Sequence, residues 1–254
     1  AGAEGTDAPC GGGAGAAVEW LLVAERSRRV AAAAGLLTML AVPVGAAGAP
    51  TANHESYNVT GVLADATWFS DQGEGQEPEV GEPRVLSVSG ADATMVRRVP
   101  GSKPESTAQP AVLAMGLMLP GPEAGDEPVP AELWCVSDAF TFAVADELSS
   151  AELVIPTCQA EIFTVDEESG EEVPTGVTFT LSVTSTWTAT GPLESVKSHS
   201  RYLIDNSFTL DRVKASTRQA SADVTVTGLP NGTLQVTAQE GATQDIKAAT
   251  LLHQ

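Results

Sequence analysis

The longest regular pattern of apolar and polar residues lies at positions 177–188. Every second residue there is apolar or small, and the residues between them are all threonine or serine. Because successive side chains of a strand point to opposite faces, this pattern predicts one long strand with an apolar face and a polar face. Pro174 and the pair Gly191-Pro192 are predicted to mark its two ends.

Shorter stretches with strand character and turn signals between them predict about ten to twelve strands in all. Residues 84–88 and 93–99 are predicted to be two short strands joined by a turn at 90–92. Residues 193–206 show the weakest pattern and leave room for one short helix. The sequence therefore predicts an all-β fold, an antiparallel β-sandwich of the immunoglobulin-like or jelly-roll-like kind.

A Pro-rich and acidic segment at 120–130 is the strongest candidate for an internal boundary. It holds four prolines and three acidic residues, and proline is excluded from central sheet positions because it lacks the backbone donor. We therefore expect an N-terminal β half at 50–120 and a C-terminal β half at 131–254, packed together as two subdomains. A single continuous domain over 50–254 is the alternative.

Residues 26–49 have the organisation of an export signal. Arg26, Arg28 and Arg29 precede an apolar run at 30–44, and small residues follow at 45–49. Positive charge, apolar run and small residues in this order predict a signal peptide, and residues 1–25 are predicted to be an upstream or disordered extension. The apolar run is too short to span a bilayer comfortably, so we expect a secreted protein with no membrane span in the mature chain. The Ala-, Val- and Gly-rich composition is typical of bacterial proteins.

The charge of the chain limits the classes of partner that it can bind. It carries 33 acidic and 13 basic residues, for a net charge of −20. Nucleic acids and anionic membranes both need a basic face on the protein, so this acidic balance argues against either partner.

The cysteines predict a disulfide. Of three cysteines, Cys10 lies upstream of the predicted signal peptide, which leaves Cys135 and Cys158 as a pair in the mature chain. Disulfides form in exported proteins, so a bridge between these two residues is expected.

The acidic connections between strands are the candidate metal sites. Asp166, Glu168 and Glu171 lie in one such segment, and calcium prefers several oxygen ligands on a flexible loop. The ligand spacing of an EF-hand is absent from the sequence. A hairpin tip that is charged only to remain solvated is the alternative interpretation.

Three tryptophans raise the question of a sugar-binding platform. Trp68, Trp134 and Trp187 could stack on a sugar, or they could fill the core. Trp187 continues the apolar face of its strand and Trp134 adjoins Cys135, so the sequence favours the core for these large rings.

The sequence contains none of the common catalytic motifs, such as G-x-S-x-G or a phosphate-binding glycine loop. Ser195, Lys197, His199 and Ser200 form a polar cluster near Arg201, but sequence spacing does not define a nucleophile and its base. We therefore expect a non-catalytic extracellular binding or envelope-associated protein, whose partner is a cell-wall polymer or another protein. A secreted hydrolase without a recognisable motif and a calcium-stabilised structural module are the alternatives, and calcium is the one cofactor that the sequence suggests.

Overall fold

The computed structural model describes residues 54–70, 81–120, 128–165, 172–204 and 207–253. They form antiparallel strands almost throughout, which confirms the all-β prediction. The strands are β1 (His54–Phe69), β2 (Pro83–Arg98), β3 (Glu105–Ala108), β4 (Ala111–Leu119), β5 (Val129–Ser137), β6 (Thr141–Val144), β7 (Ser150–Val165), β8 (Glu172–Ile204), β9 (Ser207–Leu229) and β10 (Gly232–His253). One turn of 3-10 helix, Asp146–Leu148, lies between β6 and β7.

The sheet closes on itself. Its strands follow the order β1-β10-β9-β8-β7-β5-β4-β2, and β2 pairs back onto β1. The short strands β3 and β6 add to β2 and β7. Buried side chains from all of these ring strands meet in one core, so opposed walls of the sheet face each other in a sandwich-like arrangement. The choice between an immunoglobulin-like and a jelly-roll-like type stays a prediction.

The alternation predicted for β8 is present. Leu181, Val183 and Trp187 are buried, whereas Thr184 and Thr186 between them are exposed. The apolar face of this strand therefore lines the core, and its threonines face outwards.

The core is filled by pairing large side chains with very small ones. Trp187 and Phe142 make an edge-to-face contact with ring centroids 6.5 Å apart, and the Trp187 indole N–H donates to the Asp65 carbonyl of β1 at 2.9 Å. A Cβ placed on Gly90 would lie only 2.8 Å from Phe142 and 3.1 Å from Leu153. The strands β9, β10 and β1 carry alanine at core positions: Ala64, Ala66, Ala220, Ala222 and Ala238.

The turn predicted at residues 90–92 is wrong, because β2 runs without a break from Pro83 to Arg98. Gly90 occurs there for close packing against Phe142 rather than for a reversal of the chain. The predicted ends of the long strand at Pro174 and Gly191-Pro192 are also wrong, since β8 runs from Glu172 to Ile204. Residues 193–204, where the sequence left room for a short helix, therefore continue β8 as a strand.

Five of the strands are longer than the closed part of the sheet. Ser150 of β7 pairs with Thr188 of β8, where β7 begins, and beyond that point β8 continues along β9. Residues 193–204, 207–218, 243–253, 54–63 and 91–98, together with β3, form an open sheet in the order β8-β9-β10-β1-β2-β3. We call this open sheet the extension and the remainder the closed half.

The buried face of the sheet changes at the border between the two parts. On β1, Ala64 and Ala66 belong to the main core, whereas Val59 and Leu63 belong to a second buried cluster. Positions of odd and even number point to opposite faces of a strand. The face of the sheet that lines the main core in the closed half is therefore continuous with the face of the extension that points away from the second cluster.

The predicted disulfide is present between Cys135 of β5 and Cys158 of β7, with Cα atoms 5.9 Å apart. In the described part of the chain, no helix has the length and apolar character needed to cross a bilayer. The predicted signal peptide lies outside the described residues. Residues 121–127, within the predicted boundary between the two halves, also lie outside the described residues. The strands on either side of this segment, β4 and β5, pair directly with each other. The division into two halves stays a prediction.

Candidate binding site

A shallow depression lies on the outer face of the closed half, over β2, β4 and β5. On β5, Leu133 and Cys135 are buried in the core, so Glu132, Trp134 and Val136 point to the outer face. The residues that line the depression are Val85, Ser87, Ala114, Met115, Gly116, Glu132 and Trp134.

The depression exists because its floor is made of small residues. Ala114 lies directly opposite Trp134, and Gly116 lies directly opposite Glu132. A Cβ on Gly116 would meet nothing nearer than Val85 at 3.8 Å, so the glycine leaves open space. The indole of Trp134 therefore lies beside residues with very small side chains rather than among side chains as large as itself.

Trp134 is half-buried and is held by a neighbour on its own strand. Its indole N–H donates to the Glu132 carboxylate at 3.0 Å. On the opposite side, Glu161 of β7 is directly paired with Trp134. Carboxylates accept hydrogen bonds, and an indole offers a broad apolar face. The site combines these two kinds of contact on a rigid sheet.

The three tryptophans have different positions. Trp187 is fully buried, which confirms its predicted place in the core. Trp68 is half-buried and packs against that core. The core interpretation is wrong for Trp134, which faces outwards, because the core positions of β5 are taken by its odd-numbered neighbours.

The predicted metal ligands Asp166, Glu168 and Glu171 lie outside the described residues, and the calcium site stays a prediction. Among the residues that the structure describes, no group of three or more His, Cys, Asp or Glu side chains is placed to hold a metal ion.

The polar cluster near Arg201 is part of a strand. Ser195, Lys197 and His199 lie at alternate positions of β8 in the extension and therefore share a face. Their partners on β9 are Ser216, Lys214 and Arg212. The cluster is thus part of a wider surface that sequence spacing alone did not reveal.

The sequence also did not reveal the contribution of Gly116 to the depression or the position of Glu161 beside Trp134. Both depend on the register of β5 with β4 and β7, which brings together residues far apart in the chain. The one available signal was the alternation of Glu132, Trp134 and Val136 with buried residues.

Comparisons of the chain with known protein families, with curated proteins and with solved structures found no match. The fold and the depression define the molecule as an all-β protein with a shallow aromatic site on the outside of its closed half.

Proposed function

We propose that this is an exported, non-catalytic binding protein that holds a sugar against Trp134. The observation that carries the proposal is the position of this indole, which is half-buried on the outer face beside a floor of small residues and is tied to Glu132. Exposed aromatic rings with a few fixed polar groups are typical of small-molecule sites.

The chemistry of the site suits a carbohydrate. One face of a sugar ring carries C–H groups that pack on an indole, while its hydroxyls require acceptors at the rim. Glu132 and Glu161, on the same face as Trp134, supply such acceptors. Because Glu132 already holds the indole N–H, the ring is oriented before the ligand arrives, which lowers the entropic cost of binding.

The experiment is a titration of the full chain with a panel of cell-wall and plant oligosaccharides, followed by isothermal calorimetry and by the thermal midpoint. A ligand that binds the folded state raises the midpoint by mass action. We expect at least one neutral oligosaccharide to bind, and we expect Trp134→Ala to weaken it about tenfold or more, or roughly 1.4 kcal/mol.

Val136→Ala is the matched control, because Val136 occupies the next outward position of the same strand and is 58% exposed. Circular dichroism of both variants checks that they fold. Failure of every sugar in the panel to bind, or full binding by Trp134→Ala, would contradict the proposal. Release of reducing ends would favour the hydrolase instead, and a midpoint raised by calcium but not by magnesium would favour the calcium-stabilised module.

A further inference from the structure

The positive charges of this acidic chain are concentrated at one end of the molecule. Among the described residues, every lysine and arginine except Arg84 lies in the extension or in the loop between β2 and β3. Most of the described Asp and Glu residues lie in the closed half. The chain has a net charge of −20, but the basic residues of its described part are gathered in one region.

Within the extension, three lysines form a row across neighbouring strands. Lys197 of β8 is directly opposite Lys214 of β9, and Lys214 is directly opposite Lys247 of β10. All three side chains are exposed. Directly opposite residues of antiparallel strands share a face, so the three ammonium groups emerge side by side. Adjacent strands are about 4.8 Å apart, which puts the outer two lysines about 10 Å apart at their Cα atoms.

The neighbouring positions on this face add charge and hydroxyl groups. His199 and Arg212 form the next pair on one side of the row, and Ser195 and Ser216 form the next pair on the other. Thr60 of β1 continues the row itself, opposite Lys247. We call the face that carries the three lysines the basic face.

The charges of the basic face are poorly compensated by the chain. Asp245 and Asp92 are the acidic residues on this face within the described part of the chain, and both lie one row away from the lysines. The ion pairs that Arg97 makes with Glu55 at 3.1 Å and with Glu105 at 3.6 Å belong to the opposite face. Like charges placed directly opposite each other destabilise a sheet, so the row costs stability unless an anion covers it.

We propose that the basic face binds a linear polymer of polyol phosphate, which lies across β8, β9 and β10 along the lysine row. Ammonium groups are compact donors that neutralise phosphates as point charges, and the guanidinium of Arg212 in the next row can bind a phosphate through two parallel hydrogen bonds. The serine and threonine hydroxyls beside the row can bond the hydroxyls of the polyol. This proposal stands on residues other than Trp134 and is independent of the sugar site.

The same face argues against single-stranded nucleic acid as the partner. Proteins that bind single strands stack the bases on aromatic rings. In the lysine row and in the described pairs on either side of it, there is no Phe, Tyr or Trp.

The experiment measures the binding of a fluorescently labelled oligo(glycerol phosphate) to the full chain by anisotropy, over a series of salt concentrations. We expect salt-sensitive binding. The triple variant Lys197→Gln/Lys214→Gln/Lys247→Gln should lose at least tenfold in affinity, and its salt slope should fall by about one for each lysine. Lys214→Gln should weaken binding more than Lys103→Gln, which removes the same charge from the loop between β2 and β3.

Trp134→Ala should leave polymer binding unchanged, which separates this site from the sugar site. The proposal would be overturned by a wild-type chain that does not bind the polymer, or by a folded triple variant that binds it as well as the wild type. Equal binding of polyglutamate of the same charge would show that phosphate is not recognised. Tighter binding of a single-stranded oligonucleotide would assign the face to nucleic acid.

Discussion

The closed half and the extension share five strands, but they use the two faces of the sheet in opposite ways. In the closed half, the inner face carries Leu181, Val183 and Trp187 into a core with contributions from every ring strand. In the extension, the continuation of that face carries Lys197, Lys214 and other cations, and the second buried cluster lies on the other side. The same backbone thus encloses a core at one end and presents a charged surface at the other.

The difference shows how far closure alone can stabilise a sheet. A closed sheet removes its unpaired edges and surrounds its inner face. Among the strands that the structure describes, β3 and residues 193–204 of β8 form the two edges of the extension, and Leu193 and Val196 on the second edge are 47% and 42% exposed. Charged residues on a free edge oppose pairing with another chain, and Lys197 and Arg201 lie on this one.

The largest expected effect comes from removing the Trp187 side chain from the core of the closed half. Trp187→Ala should reduce the free energy of unfolding by about 4 kcal/mol, because a large cavity forms and surrounding alanines cannot fill it. The Asp65 carbonyl also loses the indole N–H. Urea unfolding followed by circular dichroism measures the change.

Trp134→Ala is the control for that measurement, since it removes the same side chain from the outer face. This variant should lose much less free energy of unfolding, because Trp134 is half-exposed and lies outside the core. Equal losses for the two variants would mean that the closed half does not depend on its inner packing.

The contrast also explains which parts of the fold could be predicted from the sequence. Alternation predicted the strand at residues 177–188 correctly, because from Leu181 to Trp187 one face is buried and the residues between are exposed or half-buried. The same rule failed at 193–204, where both faces of the strand carry polar residues and no period is visible. The disulfide was predictable from two cysteines in a chain that is predicted to be exported, but the depression at Trp134 and the lysine row depend on strand register, which joins residues that are distant in sequence.

A smaller effect is expected at the border of the two parts, where Asp65 lies. Its Oδ1 is buried and has no hydrogen-bond partner in the described part of the chain, and burial raises the pKa of its carboxyl to about 7. The unfolded carboxyl ionises near pH 4, so between pH 4 and pH 7 the folded state holds a proton that the unfolded state has lost. Stability should therefore fall as the pH rises through this window, by up to about 1.4 kcal/mol for each pH unit.

Asp65→Asn tests this expectation because the amide cannot ionise. Urea unfolding of wild type and variant between pH 4 and pH 8 gives the difference in stability at each pH, which removes the contribution of the other titrating groups. The free energy of unfolding of the variant, relative to that of the wild type, should increase as the pH rises and should keep its full increase above pH 7. A difference that does not change with pH would mean that the Asp65 carboxyl titrates normally in the folded protein.

The smallest effect is expected within the extension, and it has the opposite sign from the loss at Trp187. Lys214 lies between Lys197 and Lys247 in the row, so Lys214→Gln removes repulsion on both sides. In the absence of polymer it should raise the free energy of unfolding by about 0.5 kcal/mol at low salt, and the gain should shrink as added salt screens the charges.

Lys103→Gln, which takes one charge from the loop between β2 and β3, should change stability little. A stabilisation of equal size in both variants would trace the gain to the net charge of the chain, whereas a gain confined to Lys214→Gln would show that the row itself is a local cost in the unliganded protein.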